Sequence, residues 1–304
     1  MSPQPYVQPV AESTSVFKDD LFKGKVVFCT GGGSGICRGM TEAMAAWKQQ
    51  LRLQMRHGAD AAIFGRKLDR LTQASKELSE ATGRTCIPTQ GDVRQPSSLK
   101  EAIQKTIEKF GRIDFVICGA AGNFLAPISG ISENAFKTVM EIDTIGSYNT
   151  VKATLPHVRT TKGSYIFVSA TLHYNATPYQ VHVSAAKAGI DALAKVLAVE
   201  EGPHGVRSNV ISPGPIGNTE GMDRLSNKSA PSSGWVHGGP VGRIGDIKDV
   251  ANATVFLFSD AASFITGQVL PVDGGWEHLR TTQLPYPQAV LDPSSVSDMI
   301  KARM

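Results

Sequence analysis

The chain has 304 residues, 41% of them apolar, and a formal net charge of +4. That is apolar material enough for a full core, but too scattered for a membrane-spanning helix, which needs roughly 20 consecutive apolar residues. The basic residues are dispersed rather than massed, which argues against nucleic acid and suits small phosphate-bearing ligands. The opening MSPQPYVQPVAES lacks the basic start and apolar segment of a signal peptide. Its Pro, Gln and Ser content predicts an arm over residues 1–20 that lies outside the core. The cysteines Cys29, Cys37, Cys86 and Cys118 form no C-x-x-C pair. They read as buried, reduced thiols of an intracellular protein, and no metal is expected.

Short apolar, β-branched runs alternate with longer segments of helical period. Lys25-Val-Val-Phe-Cys29 is followed by a helix, then Ala61-Ala-Ile-Phe-Gly65 and a second helix to about Ser79. Further strand-like runs are Cys86-Ile-Pro88, Ile113–Cys118, Tyr165–Val168, Val206–Ile211 and Gln268–Val272. Strands that are apolar throughout, joined by helices, imply a parallel sheet covered on both faces. The fold class is therefore α/β: one doubly wound, Rossmann-type domain over residues 21–275. The strand order is expected to be 3-2-1-4-5-6 with an added edge strand. Residues 276–304 read as a Pro- and Ser-rich tail.

The first strand runs into Thr30-Gly31-Gly32-Gly33-Ser34-Gly35-Ile36-Cys37. Glycines between a strand and a helix permit a tight turn and let the backbone approach a pyrophosphate at the helix N-terminus. At the end of the second strand stand Arg66 and Lys67. An acidic residue there would favour NAD, whereas a guanidinium pairs with a 2′-phosphate, so NADPH is the expected cofactor.

The loop resembles the T-G-x-x-x-G-x-G signature of the short-chain dehydrogenase/reductase family, with Cys37 in place of the third glycine. Cysteine is small, so a slight shift is expected rather than loss of binding. Asp92-Val93 resembles the family's adenine-contacting pair, and Cys118-Gly-Ala-Ala-Gly122 stands where N-N-A-G is usual. The family's usual chemistry needs a Ser, a Tyr and a Lys four residues later. Here Lys187 is kept, but Val183 occupies the tyrosine position and Ala170 the serine position. The family's helix asparagine is Asp143.

Those substitutions resemble the peroxisomal 2,4-dienoyl-CoA reductase branch. So do Ala120–Leu125, Asn134–Met140, Ala198-Val-Glu200 and Ser212–Gly221, and the likeness runs from about Leu21 to Gly275. The resemblance implies NADPH-dependent reduction of a 2,4-dienoyl-CoA to a 3-enoyl-CoA in the breakdown of unsaturated fatty acids. Hydride would go to C5 and a proton to C2. Asp143 and Lys187 would hold a proton-relaying water, and Lys187 would also bind the nicotinamide ribose. Asn123 is the candidate donor to the thioester oxygen. Pro213, Gly214, Pro215, Ile216 and Thr219 would cover the nicotinamide. Acyl-CoA contacts are implied at Arg66, Arg94, Phe124, Ser132, Glu133, Asn134 and Arg224; the Glu133 carboxylate sits uncomfortably near a polyanion. His173, Tyr174, Tyr179 and His182 receive no role. The alternatives are another carbonyl or enoyl substrate, or an NADP(H)/CoA-binding protein without turnover.

The stretch from Cys37 to Gly58 is too long for one crossover helix of about 11–12 residues, which points to an insertion near residues 45–54. The terminal Ala302-Arg303-Met304 resembles the small–basic–Leu/Met tripeptides of peroxisomal import. It implies an import receptor as partner and the peroxisome as location, with the cytoplasm as alternative. Family members form homodimers or homotetramers, so a homo-oligomer is expected.

Overall fold

The computed structural model describes residues 10–11, 17–45, 57–174, 176–225, 239–279 and 291–292. Seven strands form one parallel sheet: β1 Val26–Thr30, β2 Asp60–Gly65, β3 Cys86–Gln90, β4 Phe115–Cys118, β5 Ser164–Val168, β6 Arg207–Pro213 and β7 Val269–Val272. Their order is β3-β2-β1-β4-β5-β6-β7, the expected arrangement with the added strand at one edge. β1 and β4 are buried along their whole length, as the continuous apolar runs require.

Helices cover both faces: α1 Gly35–Ala45, α2 Leu68–Thr82, α3 Pro96–Phe110, α4 Glu133–Met140, α5 Gly146–Thr161, α6 Val181–Glu201, α7 Glu220–Leu225 and α8 Ile247–Phe258. One layer of core joins Val27, Cys29 and Ile63 to Met40, Met44 and Val255, on the α1/α8 side. The other joins Phe28, Phe64 and Val116 to Leu99, Val151 and Ile190 under α3, α5 and α6. The order in which strands are added reverses between β1 and β4, and at such a switch point an open α/β sheet places its ligand beyond the carboxyl ends of the strands.

α1 has the 11 residues of an ordinary crossover. It ends at Ala45, so all but the first residue of the insertion lies outside the described residues. The described part of the N-terminal arm does not stand clear: Phe17 packs against the core, and the Lys18 carbonyl lies 3.2 Å from Nδ1 of the buried His57. No helix among the described residues is long and apolar enough to cross a membrane.

Candidate active site

A cavity of about 460 Å³ opens at the carboxyl ends of the central strands. At one end its wall is Arg66, Lys67 and Arg70; its middle is the glycine loop; at the other end are Asn123, Ser169, Ala170, Val183 and Lys187. Gly31 sits at φ +75°, and a Cβ there would lie 2.7 Å from the Gly119 carbonyl oxygen. Gly35, the first residue of α1, sits at φ +55° with nothing within 4 Å of an added Cβ. Open space over the amino end of a helix, with two exposed cationic side chains on the same wall, matches a dinucleotide phosphate cradle and a 2′-phosphate site. These residues fit NADPH.

The structure sorts the predicted cradle residues. Gly31, Gly33, Ser34, Gly35, Ile36, Arg66, Lys67, Asp92, Val93, Lys187 and Thr219 line the cavity. Gly32 does not: its missing Cβ points at Ile63, 2.7 Å from the side chain, so this glycine serves the packing of loop on β2. Pro213, which ends β6, and Gly214, Pro215 and Ile216 after it are not on the cavity wall, and Ile216 is buried. Cys37 fits with its thiol donating to the Gly119 carbonyl at 3.6 Å, against a glycine whose Cβ would meet that sulfur at 2.1 Å. The cysteine and Gly119 are thus matched in size. Burial pushes the Cys29 and Cys118 thiols up, and Cys86 up to about 12, which favours the thiol over the thiolate in all three.

At the far end, Asp143 lies in a π-helical turn, Glu141–Ile145, between α4 and α5. The extra residue per turn directs its carboxylate inward, where it is fully buried. One oxygen accepts from the Gly122 amide at 2.8 Å, and the other lies 3.1 Å from Lys187 Nζ. Lys187 also donates to the Val168 carbonyl at 3.0 Å. The two partners are in direct contact, and only Lys187 reaches the cavity wall. Asp143 is therefore not itself on the cavity wall but touches the lysine that is. Val183, in the tyrosine position, is buried against Val139 and Ala186, and no tyrosine lines the cavity among the described residues.

Of the residues expected to meet an acyl-CoA, Arg66 and Asn123 line the cavity, whereas Arg94, Phe124, Ser132, Glu133 and Asn134 are not on its wall. Asn123 is on the wall, with its side-chain oxygen buried and without a hydrogen-bond partner. Phe124 stacks on His182. Ser132 caps α4 by accepting from Ala135 N at 3.2 Å, and Glu133 and Asn134 form the first turn. The carboxylate of Glu133 suits that position, since the amino end of a helix attracts negative charge. The Arg94 guanidinium is bound to Asp92, at 2.6 Å. The same contact holds the Asp92 carboxyl below its usual range. Arg224 belongs to α7, but its side chain lies outside the described residues. Sequence reasoning gave no role to Thr30, whose hydroxyl accepts from the Gly119 and Ala120 amides at 3.0 and 3.3 Å and so ties the glycine loop to the loop after β4. It also missed the Arg70–Glu220 ion pair between α2 and α7 on the cavity wall. Neither pairing leaves a local mark in sequence.

Residues 33–277 match a family model described as enoyl-(acyl carrier protein) reductase. The chain belongs to the short-chain dehydrogenase/reductase family. Its similarity to the peroxisomal 2,4-dienoyl-CoA reductase SPS19 of Saccharomyces cerevisiae is 49% identity, covering 90% of this chain and 92% of the relative. To the peroxisomal 2,4-dienoyl-CoA reductase of Danio rerio it is 45%, covering 86% and 84%. Both relatives are named as producing (3E)-enoyl-CoA. Among solved members of the family, a short-chain dehydrogenase from Bacillus anthracis is 34% identical with a TM-score of 0.73, covering 87% of this chain and 100% of the other. Carveol dehydrogenase from Mycobacterium avium in complex with NAD gives 28% identity and a TM-score of 0.74, covering 84% and 98%.

Proposed function

We propose that the chain is an NADPH-dependent 2,4-dienoyl-CoA reductase that forms a 3-enoyl-CoA. The observation that carries the reading is the buried Asp143–Lys187 pair, whose lysine lines a cavity with Val183 and Ala170 at the tyrosine and serine positions. Reducing a carbonyl demands a proton on oxygen beside the hydride-accepting carbon, the task of a phenol. Reducing a conjugated dienoyl thioester places the hydride at C5 and sends the electron pair along the chain to the thioester oxygen. The proton then enters at C2. A phenol at the hydride-accepting carbon is not needed, and apolar Val183 keeps water from that point.

Arg66 and Lys67 hold the 2′-phosphate of NADPH, the amino end of α1 holds its pyrophosphate, and Lys187 binds the nicotinamide ribose. When bound, NADPH supplies the hydride. Asn123 donates to the thioester oxygen and stabilises the charge that develops there. Lys187, aimed by Asp143 and by the Val168 carbonyl, holds the water that delivers the proton to C2. Arg66, Phe124, Ser132, Asn134 and Arg224 supply the acyl-CoA contacts. Arg94 joins them through its exposed face, with Asp92 fixing its position.

The same reading includes a homo-oligomer, supported by Val196 and Val199, which are 54% and 78% exposed three residues apart on α6. It also includes peroxisomal import through Ala302-Arg303-Met304, which lies outside the described residues; the tripeptide pattern and the names of the relatives support it. Light scattering tests the first. Relocation of a fluorescent fusion to the cytosol on removal of the tripeptide tests the second, and unchanged targeting would refute it. For the activity, the test is NADPH oxidation with a 2,4-dienoyl-CoA, a 2-enoyl-CoA and a 3-oxoacyl-CoA in parallel. Turnover mainly with the first is expected; turnover only with the 3-oxo compound would overturn the mechanism.

A further inference from the structure

The loop that follows β4 is extended from Gly119 to Pro127, without regular structure. A loop of this kind needs anchors if it is to present a side chain to a reacting atom. Its first residues are tied to Thr30, Gly122 is tied to Asp143, and the Ala126 amide donates to the Tyr179 carbonyl at 3.1 Å. Between Gly122 and Ala126 stand Asn123, on the cavity wall, and Phe124. The Phe124 ring rests on the His182 imidazole with centroids 4.3 Å apart and the planes 22° from parallel.

His182 is in the first turn of α6, directly before Val183, and has no exposed surface. Both of its ring nitrogens are buried without a hydrogen bond of good geometry, and the polar group that acts on the ring most strongly is the Phe124 backbone. The broadest contact the ring makes with Phe124 is through its face. Burial lowers its pKa against the opposing pull of Phe124 and Asp143, which favours the neutral imidazole. Phe124 is 37% exposed, so the surface not covered by His182 faces outward beside Asn123.

We propose that His182 is a positioning residue of the acyl site, whose imidazole face carries the Phe124 ring and thereby fixes the Asn123–Phe124 segment against the acyl thioester. The inference rests on the reading of this site as an acyl-CoA reductase. It requires only that the ring be flat and aromatic, and that the segment it supports contact the acyl-CoA rather than the dinucleotide.

The test compares His182→Leu, which keeps bulk without an aromatic face, with His182→Phe, which keeps the face without nitrogens. Phe124→Ala and the double variant His182→Leu/Phe124→Ala complete a cycle. Each is assayed for KM and kcat with 2,4-hexadienoyl-CoA, for acyl-CoA binding by calorimetry, and for the NADPH Kd by fluorescence. Loss of one aromatic stack is expected to raise KM and the acyl-CoA Kd in His182→Leu roughly five- to tenfold, with the NADPH Kd unchanged. His182→Phe is expected to stay close to wild type, and the leucine to add nothing once Phe124 is gone. Unaltered acyl-CoA kinetics in His182→Leu, equal impairment in His182→Phe, or additive losses in the double variant would each overturn the proposal. If the wild-type protein reduces no dienoyl-CoA, the function reading itself falls, and the calorimetric arm still decides the role of His182.

Discussion

Replacing Asp143 with asparagine separates the structural from the chemical role of the buried pair. Asn keeps an oxygen for the Gly122 amide but removes the charge 3.1 Å from Lys187 Nζ. At an effective dielectric constant of about 20, that attraction is on the order of 5 kcal/mol. The two side chains are only 0% and 7% exposed, so water does not replace the lost partner. Stranding one member of a buried pair typically costs about 3–5 kcal/mol, which in a domain of this size lowers Tm by roughly 10 °C. Turnover should fall further than stability accounts for, by about 10²- to 10⁴-fold, because the group that holds the proton is no longer aimed. The double variant Asp143→Asn/Lys187→Met removes both charges and should regain most of the lost Tm, with turnover still absent. The assays are calorimetric melting and NADPH oxidation with a dienoyl-CoA. Turnover of Asp143→Asn within roughly tenfold of wild type would refute the role assigned to the pair.

Three further outcomes follow from other parts of the molecule. Arg66→Ala should raise the KM for NADPH by about 10- to 100-fold and leave that for NADH little changed, since a charge-assisted contact to the 2′-phosphate is lost; equal losses with both cofactors would move the 2′-phosphate elsewhere. Gly119→Ala places a Cβ 2.1 Å from Cys37 Sγ, a clash that should cost about 1–3 kcal/mol, and Cys37→Gly in the same chain should recover more than half of it; no recovery would show that the two positions are not matched. Arg159 grips Glu201 at 2.6 and 2.7 Å and holds its carboxyl below the usual carboxylate range. A carboxyl depressed in the folded state contributes stability above its unfolded value and loses it as pH falls through the folded one. The Tm difference between wild type and Arg159→Met should therefore be full above about pH 4.5 and shrink at lower pH; an equal gap at both ends would exclude the pair as its source.

Much of the fold was legible because the central strands are buried on both faces and so read as apolar runs. β1, β4 and β5 fall within a residue or two of the runs Lys25–Cys29, Ile113–Cys118 and Tyr165–Val168. β3 runs on to Gln90, past Pro88, because its position at the sheet edge tolerates a residue without an amide hydrogen. The cradle was legible as a motif, but a motif does not tell which glycine faces ligand: Gly35 opens on empty space, whereas Gly32 meets Ile63. The departure at Cys37 also gained its meaning only in three dimensions, where its partner is Gly119, 82 residues away. Asp143 and Lys187 could be picked out from their unusual neighbours. That Asp143 sits behind the wall depends on the π-helical turn at Glu141–Ile145, which no local pattern announces. His182 gave one signal, its place next to the substituted tyrosine position, but its stack on Phe124 depends on contacts between distant segments.

The most direct test of the account is the fate of the label from NADPH carrying deuterium at the transferred position, with product structure read by NMR. The account predicts a 3-enoyl-CoA with deuterium at C5. A 2-enoyl product, deuterium at C3, or a labelled hydroxyl-bearing carbon from a carbonyl substrate alone would contradict it.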